Sequence, residues 1–334
     1  MLSPTGERLL RQLADGRFHS GERLATALGL SRSAIWKQIH KLQTLGLDIQ
    51  AVSGRGYRLA QPLERLDEEA ILTALDPELP RPRIEIHTCL PSTNTYLLHQ
   101  MAEDGGASVC LAETQTAGKG RLGRRWVSPF GCNIYLSLSW RFADASLSAG
   151  LSLAVGVAIV RALSGMGFPQ LALKWPNDVL WQGRKLAGVL IEAVSEYQGG
   201  CKVVVGVGLN LWLPAKAAQA IDQPWVDAYT ILGRIPPRNL TVARLLNHLL
   251  PLLIHYERGG LEPWLGEWRR WNCVLGRPVR VVQGKEQFDA TAVDVTREGL
   301  LRLIDLQGRE RLLAAGDVKL RLQGDGHGTA DRQR

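Results

Sequence analysis

The stretch Gln115 to Trp126 limits the fold more than any other part of the chain. It holds Gly118, Gly120 and Gly123 beside Lys119, Arg121, Arg124 and Arg125, with no carboxylate among them. The glycines formally satisfy G-x-G-x-x-G, yet no helix pattern follows: Trp126 to Gly131 runs through Pro129 into a strand. A dinucleotide fold needs that helix, and a Walker loop needs Ser or Thr after Gly-Lys, so both are excluded. Such a connection can instead wrap an anion, because glycine lets backbone amides approach and guanidiniums donate in parallel pairs. Trp126 offers a flat face for a purine or an apolar wall. Self-repulsion predicts a loop that is mobile when empty and ordered when filled. A solvated basic loop is the other reading open at this point.

The rest of the chain sets the frame. Its 334 residues exceed one typical domain, and 45% hydrophobic with 22% charged residues is a folded, globular composition. Cys89, Cys110, Cys132, Cys201 and Cys273 are scattered, odd in number and without C-x-x-C, which excludes a disulfide framework and a four-thiolate zinc site. The apolar run Leu151–Leu163 carries Arg161 and is too short to span a bilayer, and Met1–Gly16 has no apolar core of an export signal. These features predict a soluble, cytoplasmic protein without a membrane partner.

The net charge of +8 is uneven. Residues 1–62 carry nine Lys+Arg against four Asp+Glu, whereas residues 63–271 are nearly neutral. Glu7–Ala14 reads as a helix; Ser20 caps a second that ends at Gly29, and Ser31 caps a third. Ile35, Ile39 and Leu42 form the buried stripe of the third, leaving Arg32, Ser33, Trp36, Lys37 and His40 outside it. Two short helices joined by a tight turn, the second with a basic face, make a helix-turn-helix. Asp48–Val52 and Tyr57–Ala60 flank Ser53-Gly54-Arg55-Gly56 as a basic wing, with Arg55 near its tip. A helical domain that binds protein instead of DNA, with Trp36 partly buried, is the competing reading.

After Pro62 helices and strands mix. Leu66–Leu75, a segment from Ser92 to Met101, Leu151–Leu163 and Thr241–Tyr256 read as helices; Arg83–His87, Val109–Ala112, Leu186–Val194 and Lys202–Leu211 as strands. In Asn133–Trp140, Ile134, Leu136, Leu138 and Trp140 alternate with Tyr135, Ser137 and Ser139, which predicts one buried face. Together these give α+β on a mixed sheet. Lys174-Trp175-Pro176-Asn177-Asp178 is a rigid turn between strands, Arg184-Lys185-Leu186-Ala187-Gly188 brings a lysine to a strand start, and Gly206 and Gly208 leave a slot on one face of Val205–Asn210.

In this order, Ser92-Thr93-Asn94, the Gly118–Arg124 loop, Lys174–Asp178, Arg184–Gly188 and Gly206–Asn210 resemble the biotin–protein ligase family over roughly residues 85–212. Phe18–Gly21 through Gly54–Tyr57 resembles the winged-helix half of its bifunctional, biotin-operon repressor form. The resemblance implies a winged helix-turn-helix over 1–62, a mixed-sheet biotin/lipoate-ligase-like catalytic domain over 63–271, an SH3-like β-barrel over 272–322 and a flexible tail over 323–334. Short strands at Val279–Val282, Phe288–Val295, Leu300–Ile304 and Leu312–Leu322 have the texture of a small barrel.

The implied activity is two-step acyl transfer: ATP and biotin form biotinyl-5′-AMP, which a lysine of a biotin carboxyl carrier protein then attacks. By matching position, Lys119, Arg121 and Lys185 are catalytic. Biotin contacts fall to Ser92, Thr93, Asn94, Gln115, Lys119, Gly120, Arg121, Lys185, Gly206 and Gly208. Gly118, Arg124, Trp126, Asn177, Asp178 and Asn210 serve ATP and its Mg²⁺, with no metal site built by the protein alone. Gly21, Arg32, Ser33, Trp36, Lys37, His40 and Arg55 face operator DNA, bound by an adenylate-promoted homodimer. Family members often carry Arg at the position of Lys119, and lysine lacks the bidentate fork. A ligase without repression, a ligand-sensing DNA regulator and a lipoate ligase are the rival readings.

Overall fold

Three serines start the N-terminal helices. Ser3, Ser20 and Ser31 accept from the amides of Gly6, Arg23 and Ala34, capping α1 (Pro4–Leu13), α2 (Gly21–Leu28) and α3 (Arg32–Thr44). The computed structural model describes residues 3–100, 106–195, 200–316 and 318–322. The expected helix end at Met101 and the tail 323–334 lie outside them. Leu9, Leu10, Leu13, Ile35, Ile39 and Leu42 close a small core with β1 (Ile49–Val52) and β2 (Gly56–Leu59), the antiparallel wing.

The central unit opens with α4 (Glu68–Thr73), β3 (Arg83–His87), α5 (Thr93–His99), β4 (Ser108–Ala112), β5 (Ile134–Phe142) and α6 (Leu151–Ser164). It continues through β6 (Leu171–Lys174), β7 (Asp178–Trp181), β8 (Arg184–Ser195), β9 (Cys201–Leu209), α7 (Ala215–Ala218), α8 (Ala228–Leu232), α9 (Arg238–Gly259) and α10 (Glu262–Trp271). The strands form one sheet ordered β3-β4-β5-β9-β8-β7-β6, with β3 and β4 parallel and the rest antiparallel. Helices α6 and α9 pack on one face and α5 on the other. Tyr135 and Ser137 are therefore buried as fully as Leu136, and the expected single buried face of β5 becomes two. Helix α4 is shorter than Leu66–Leu75 because Asp67 caps it and the Leu66 amide donates instead to Glu113.

At the C-terminus β10 (Pro278–Gln283), β11 (Glu286–Val295), β12 (Leu301–Asp305), β13 (Glu310–Leu313) and β14 (Val318–Leu322) form an antiparallel sheet ordered β13-β12-β11-β10-β14. The expected strand Leu312–Leu322 is two, separated at Ala314–Gly316, which places them at opposite sheet edges. Among the described residues those edges do not pair, so the expected SH3-like barrel is not closed. Val279, Val281, Leu301 and Leu303 join the central apolar core, whereas the N-terminal core is separate.

Candidate functional site

Strand ends and the α5 N-terminus converge on a polar cluster. Ser92 caps α5, accepting from the Thr95 amide, and the next two side chains turn inward. Gln115 Oε1 accepts from the Thr93 amide at 2.9 Å and from Thr93 Oγ1 at 3.2 Å; Gln115 Nε2 donates to Ser128 Oγ. Asn94 Nδ2 donates to Glu192 Oε2 at 2.9 Å, and Asn94 Oδ1 accepts from Ser137 Oγ at 2.5 Å. Such a buried network holds its donors and acceptors in fixed directions, the property a site needs to recognise a polar ring. It lines a narrow cavity of about 50 Å³ together with Trp126, Lys185, Gly188, Gly206 and Gly208.

The cationic loop crosses from this narrow cavity to a wide one of about 1090 Å³. It folds as a hairpin: Lys119 bridges Arg125, and the Gly120 amide donates to the Arg124 carbonyl at 2.7 Å. Three of its four cations have protein partners. Lys119 Nζ lies 3.7 Å from Glu192, Arg121 Nη1 donates to Asn177 Oδ1 at 3.1 Å, and Arg124 donates to Gln223. Arg121 also reaches the Ala315 and Gly316 carbonyls between β13 and β14. Lys185 forms an ion pair with Asp178 at 2.6 Å and stands 5.5 Å from the Trp126 ring. Lys119, Gly120, Arg121 and Asn177 line both cavities, so donors meet where the two spaces join.

Two expectations change. Gly206 and Gly208 do not leave a bare slot: side chains already fill it. A Cβ at Gly206 would stand 2.2 Å from Asn94 Oδ1, and one at Gly208 would stand 2.4 Å from the Trp126 ring. Asn210 is not among the residues lining either cavity. Its amide nitrogen donates to the carbonyls of Lys185 and Val226, so it holds the backbone that carries Lys185. Gly118 is packed beneath the loop, where a Cβ would meet the Trp126 carbonyl.

Sequence reasoning assigned no role to Glu192, Ser137, Gln223 or Glu113. Glu113 is fully buried and accepts from Arg238 Nη1 at 2.6 Å and from the Leu66 amide at 3.0 Å. The segment after the loop carries Phe130, which is buried in the winged-helix core. Sequence distance hid both, since Arg238 lies far along the chain. In the N-terminal unit, Arg32, Ser33, Lys37 and His40 are exposed on α3, and Trp36 is 51% exposed with its ring 4.1 Å from that of His40. Gly21 opens α2 beneath Tyr57, and Arg55 is exposed on the wing.

Comparison with known proteins agrees with this division. The Biotin/lipoate A/B protein ligase family model matches residues 86–210, and an HTH domain model matches residues 7–58. The chain is 36% identical over 314 residues to the "Bifunctional ligase/repressor BirA" of Salmonella typhimurium, covering 94% of this chain and 96% of that protein. It belongs to the BirA family of bifunctional ligase/repressors. Family likeness extends to the Bacillus subtilis member at 30% identity over 92% of this chain. The "Biotin--[acetyl-CoA-carboxylase] ligase" of Mycobacterium tuberculosis, 36% identical, matches only 68% of this chain. The fold is also that of the biotin protein ligase of Aquifex aeolicus, with a TM-score of 0.61 at 24% identity over 72% of this chain and 99% of that one.

Proposed function

We propose that this member of the bifunctional ligase/repressor family activates biotin with ATP in the cytoplasm, transfers it to a lysine of a biotin carboxyl carrier protein, and represses biotin-synthesis genes as an adenylate-promoted homodimer. The observation that carries the ligase reading is the convergence of three cations on a polar-lined narrow cavity: Lys185 lines it, and Lys119 and Arg121 line both it and the wide one.

The chemistry follows from that junction. Thr93, Asn94 and Gln115 present donors and acceptors suited to a ureido ring, placing the carboxylate of biotin toward Lys185. A carboxylate oxygen attacks the α-phosphorus of ATP, the bond to the β-phosphate oxygen breaks, and pyrophosphate leaves. Two anions must approach, so cations that offset their repulsion lower the barrier. The carrier lysine, as a neutral amine, then attacks the acyl carbon; AMP leaves and the amine loses a proton. The narrow cavity is far smaller than the roughly 300–1,000 Å³ of small-molecule sites. Entry of a bicyclic ring therefore moves the Trp126 indole, whose buried Nε1 has no hydrogen-bond partner among the described residues. Swung toward the wide cavity, that ring can cover adenine.

Among the described residues no group of three or more His, Cys, Asp or Glu could hold a metal. Mg²⁺ arriving on the phosphates of ATP needs only one or two protein oxygens. The expected one, Asp178, is ion-paired with Lys185 and is not among the residues lining either cavity, so its carboxylate as it stands does not fit that role.

The decisive assay is biotin-dependent ATP–pyrophosphate exchange, followed by label transfer to carrier protein. Exchange without biotin dependence, or none, overturns the ligase reading. Sedimentation with biotin and ATP tests the dimer, whose absence removes that part. An electrophoretic shift on a promoter of biotin-synthesis genes tests repression, and no shift with the adenylate present defeats it.

A further inference from the structure

The wing carries its cations on an aromatic platform. The Arg55 guanidinium carbon lies 4.2 Å from the centre of the Phe18 ring and that of Arg58 lies 4.7 Å from it. Arg58 is also tied across the hairpin, donating from Nε to Gln50 Oε1 at 2.8 Å. Among the described residues Arg55 has no side-chain hydrogen bond or ion pair beside this ring. A guanidinium set over a ring is held by electrostatics and dispersion while its in-plane N–H groups remain available to an acceptor.

The backbone keeps the platform in register. His19, the residue after Phe18, exchanges two hydrogen bonds of 2.9 Å with Tyr57, so the segment before α2 is joined to the wing by an antiparallel bridge. Gly56 makes this approach possible: its φ is +99°, and a Cβ there would stand 2.0 Å from the His19 carbonyl oxygen. Phe18 is thereby fixed to the hairpin by backbone pairing on the residue beside it, not by side-chain packing alone.

We infer that Phe18 is a positioning residue for DNA binding: its ring preorganises Arg55, with Arg58 beside it, to meet the phosphate backbone or minor groove of a duplex. Ordering a long cationic side chain before contact removes entropy that would otherwise be lost on binding. The inference rests on the DNA-binding reading of the winged helix.

The test is a double-mutant cycle on the full chain with biotin and ATP, binding a mixed-sequence DNA duplex across a salt series. Arg55→Ala lowers the salt slope by about one per protomer, the signature of a lost phosphate contact. Phe18→Leu weakens binding about two- to fivefold, the scale of an exposed cation–π contact, and most of that loss vanishes in the Arg55→Ala background. Phe18→Tyr retains both affinity and slope, which separates loss of the ring from loss of the fold; pyrophosphate exchange is unchanged in all three. If Phe18→Leu binds like the wild type, or costs as much with Arg55 absent as present, the positioning role is wrong. If the wild type binds no duplex, the DNA-binding reading fails and takes this inference with it, so the two failures are told apart.

Discussion

Two of the glycine–arginine hairpins, the wing and the loop over the cavities, restrain their cations in different ways. In the wing, Val52 pairs with Gly56, and Arg55 and Arg58 rest on the Phe18 ring. In the loop over the cavities, Lys119 bridges Arg125, and the cations reach Glu192, Asn177, Gln223 and the carbonyls of Ala315 and Gly316. Stacking leaves donors unspent, whereas hydrogen bonding to protein acceptors consumes them. A duplex is a rigid, strongly hydrated anion, met best by donors already set in space. Under the proposed ligase reading, a nucleotide entering the wide cavity would instead compete for donors the protein is using. That exchange would couple occupancy to rearrangement of the loop, because releasing Arg121 also frees Asn177 and the carbonyls of Ala315 and Gly316.

The largest expected effect separates the cavity beneath the loop from the wing. Lys185→Ala removes the ammonium lining the narrow cavity and leaves Asp178 unpaired. Biotin-dependent pyrophosphate exchange should fall about 10²- to 10³-fold, the scale of removing one preorganised donor from a developing charge. Duplex affinity measured without biotin should not change. A parallel loss of duplex binding would mean that the two cationic elements are not independent.

Glu113→Gln asks where they are joined. Its carboxylate is fully buried against Arg238, itself buried, and accepts from the Leu66 amide in the connection to the winged helix. Removing one charge of such a pair leaves the other uncompensated, at a cost of about 3–5 kcal/mol. Thermal unfolding should move down, with both activities falling together as the folded fraction falls. Loss confined to pyrophosphate exchange would show that Glu113 serves only the catalytic side.

The division between these regions was legible in the sequence, but the joints were not. Serine caps, the Ile35–Ile39–Leu42 stripe and the Gly54–Gly56 turn are local signals, and each appears where the pattern placed it. Thr93, Asn94 and Gln115 were singled out by the resemblance, since no local pattern links Gln115 to the start of α5, where Thr93 bonds it. Partners such as Glu113–Arg238 are set by tertiary packing between residues that no periodicity links. Phe130 reads as a strand-entry residue in sequence and proves to fill the winged-helix core. Glycines at 206 and 208 read as an open slot, and Asn94 and Trp126, which fill it, arrive from distant segments. The C-terminal strands had the spacing of a barrel, and spacing does not specify whether the edges meet.

A smaller effect tests the wing alone. Gly56→Ala forces a Cβ into the His19 carbonyl at a backbone angle that disfavours side chains. A strained position of this kind costs about 1–3 kcal/mol, here taken up by parting the wing from residues 18–20. Duplex affinity should fall with pyrophosphate exchange retained. An equal loss of exchange would show that the wing also shapes the cavity, and the contrast between the hairpins would then be one of degree.

The smallest effect lies at the foot of the same segment. Asp15 accepts from His19 Nε2 and from the Arg17 amide, both at 2.9 Å, and the hydrogen bond from His19 is the main reason its carboxyl sits below the usual 3.8. A carboxyl whose folded value is depressed contributes stability above its unfolded value and loses it as pH falls through the lower, folded one. The pair is solvent-screened, so the contribution is well under about 1 kcal/mol. Asp15→Asn should therefore lower the thermal midpoint slightly near neutral pH, and the difference from wild type should vanish as pH drops below the carboxylate range. A gap that persists in acid would mean that Asp15 holds Phe18 and His19 by shape rather than by charge, and the wing's preorganisation would then be indifferent to pH.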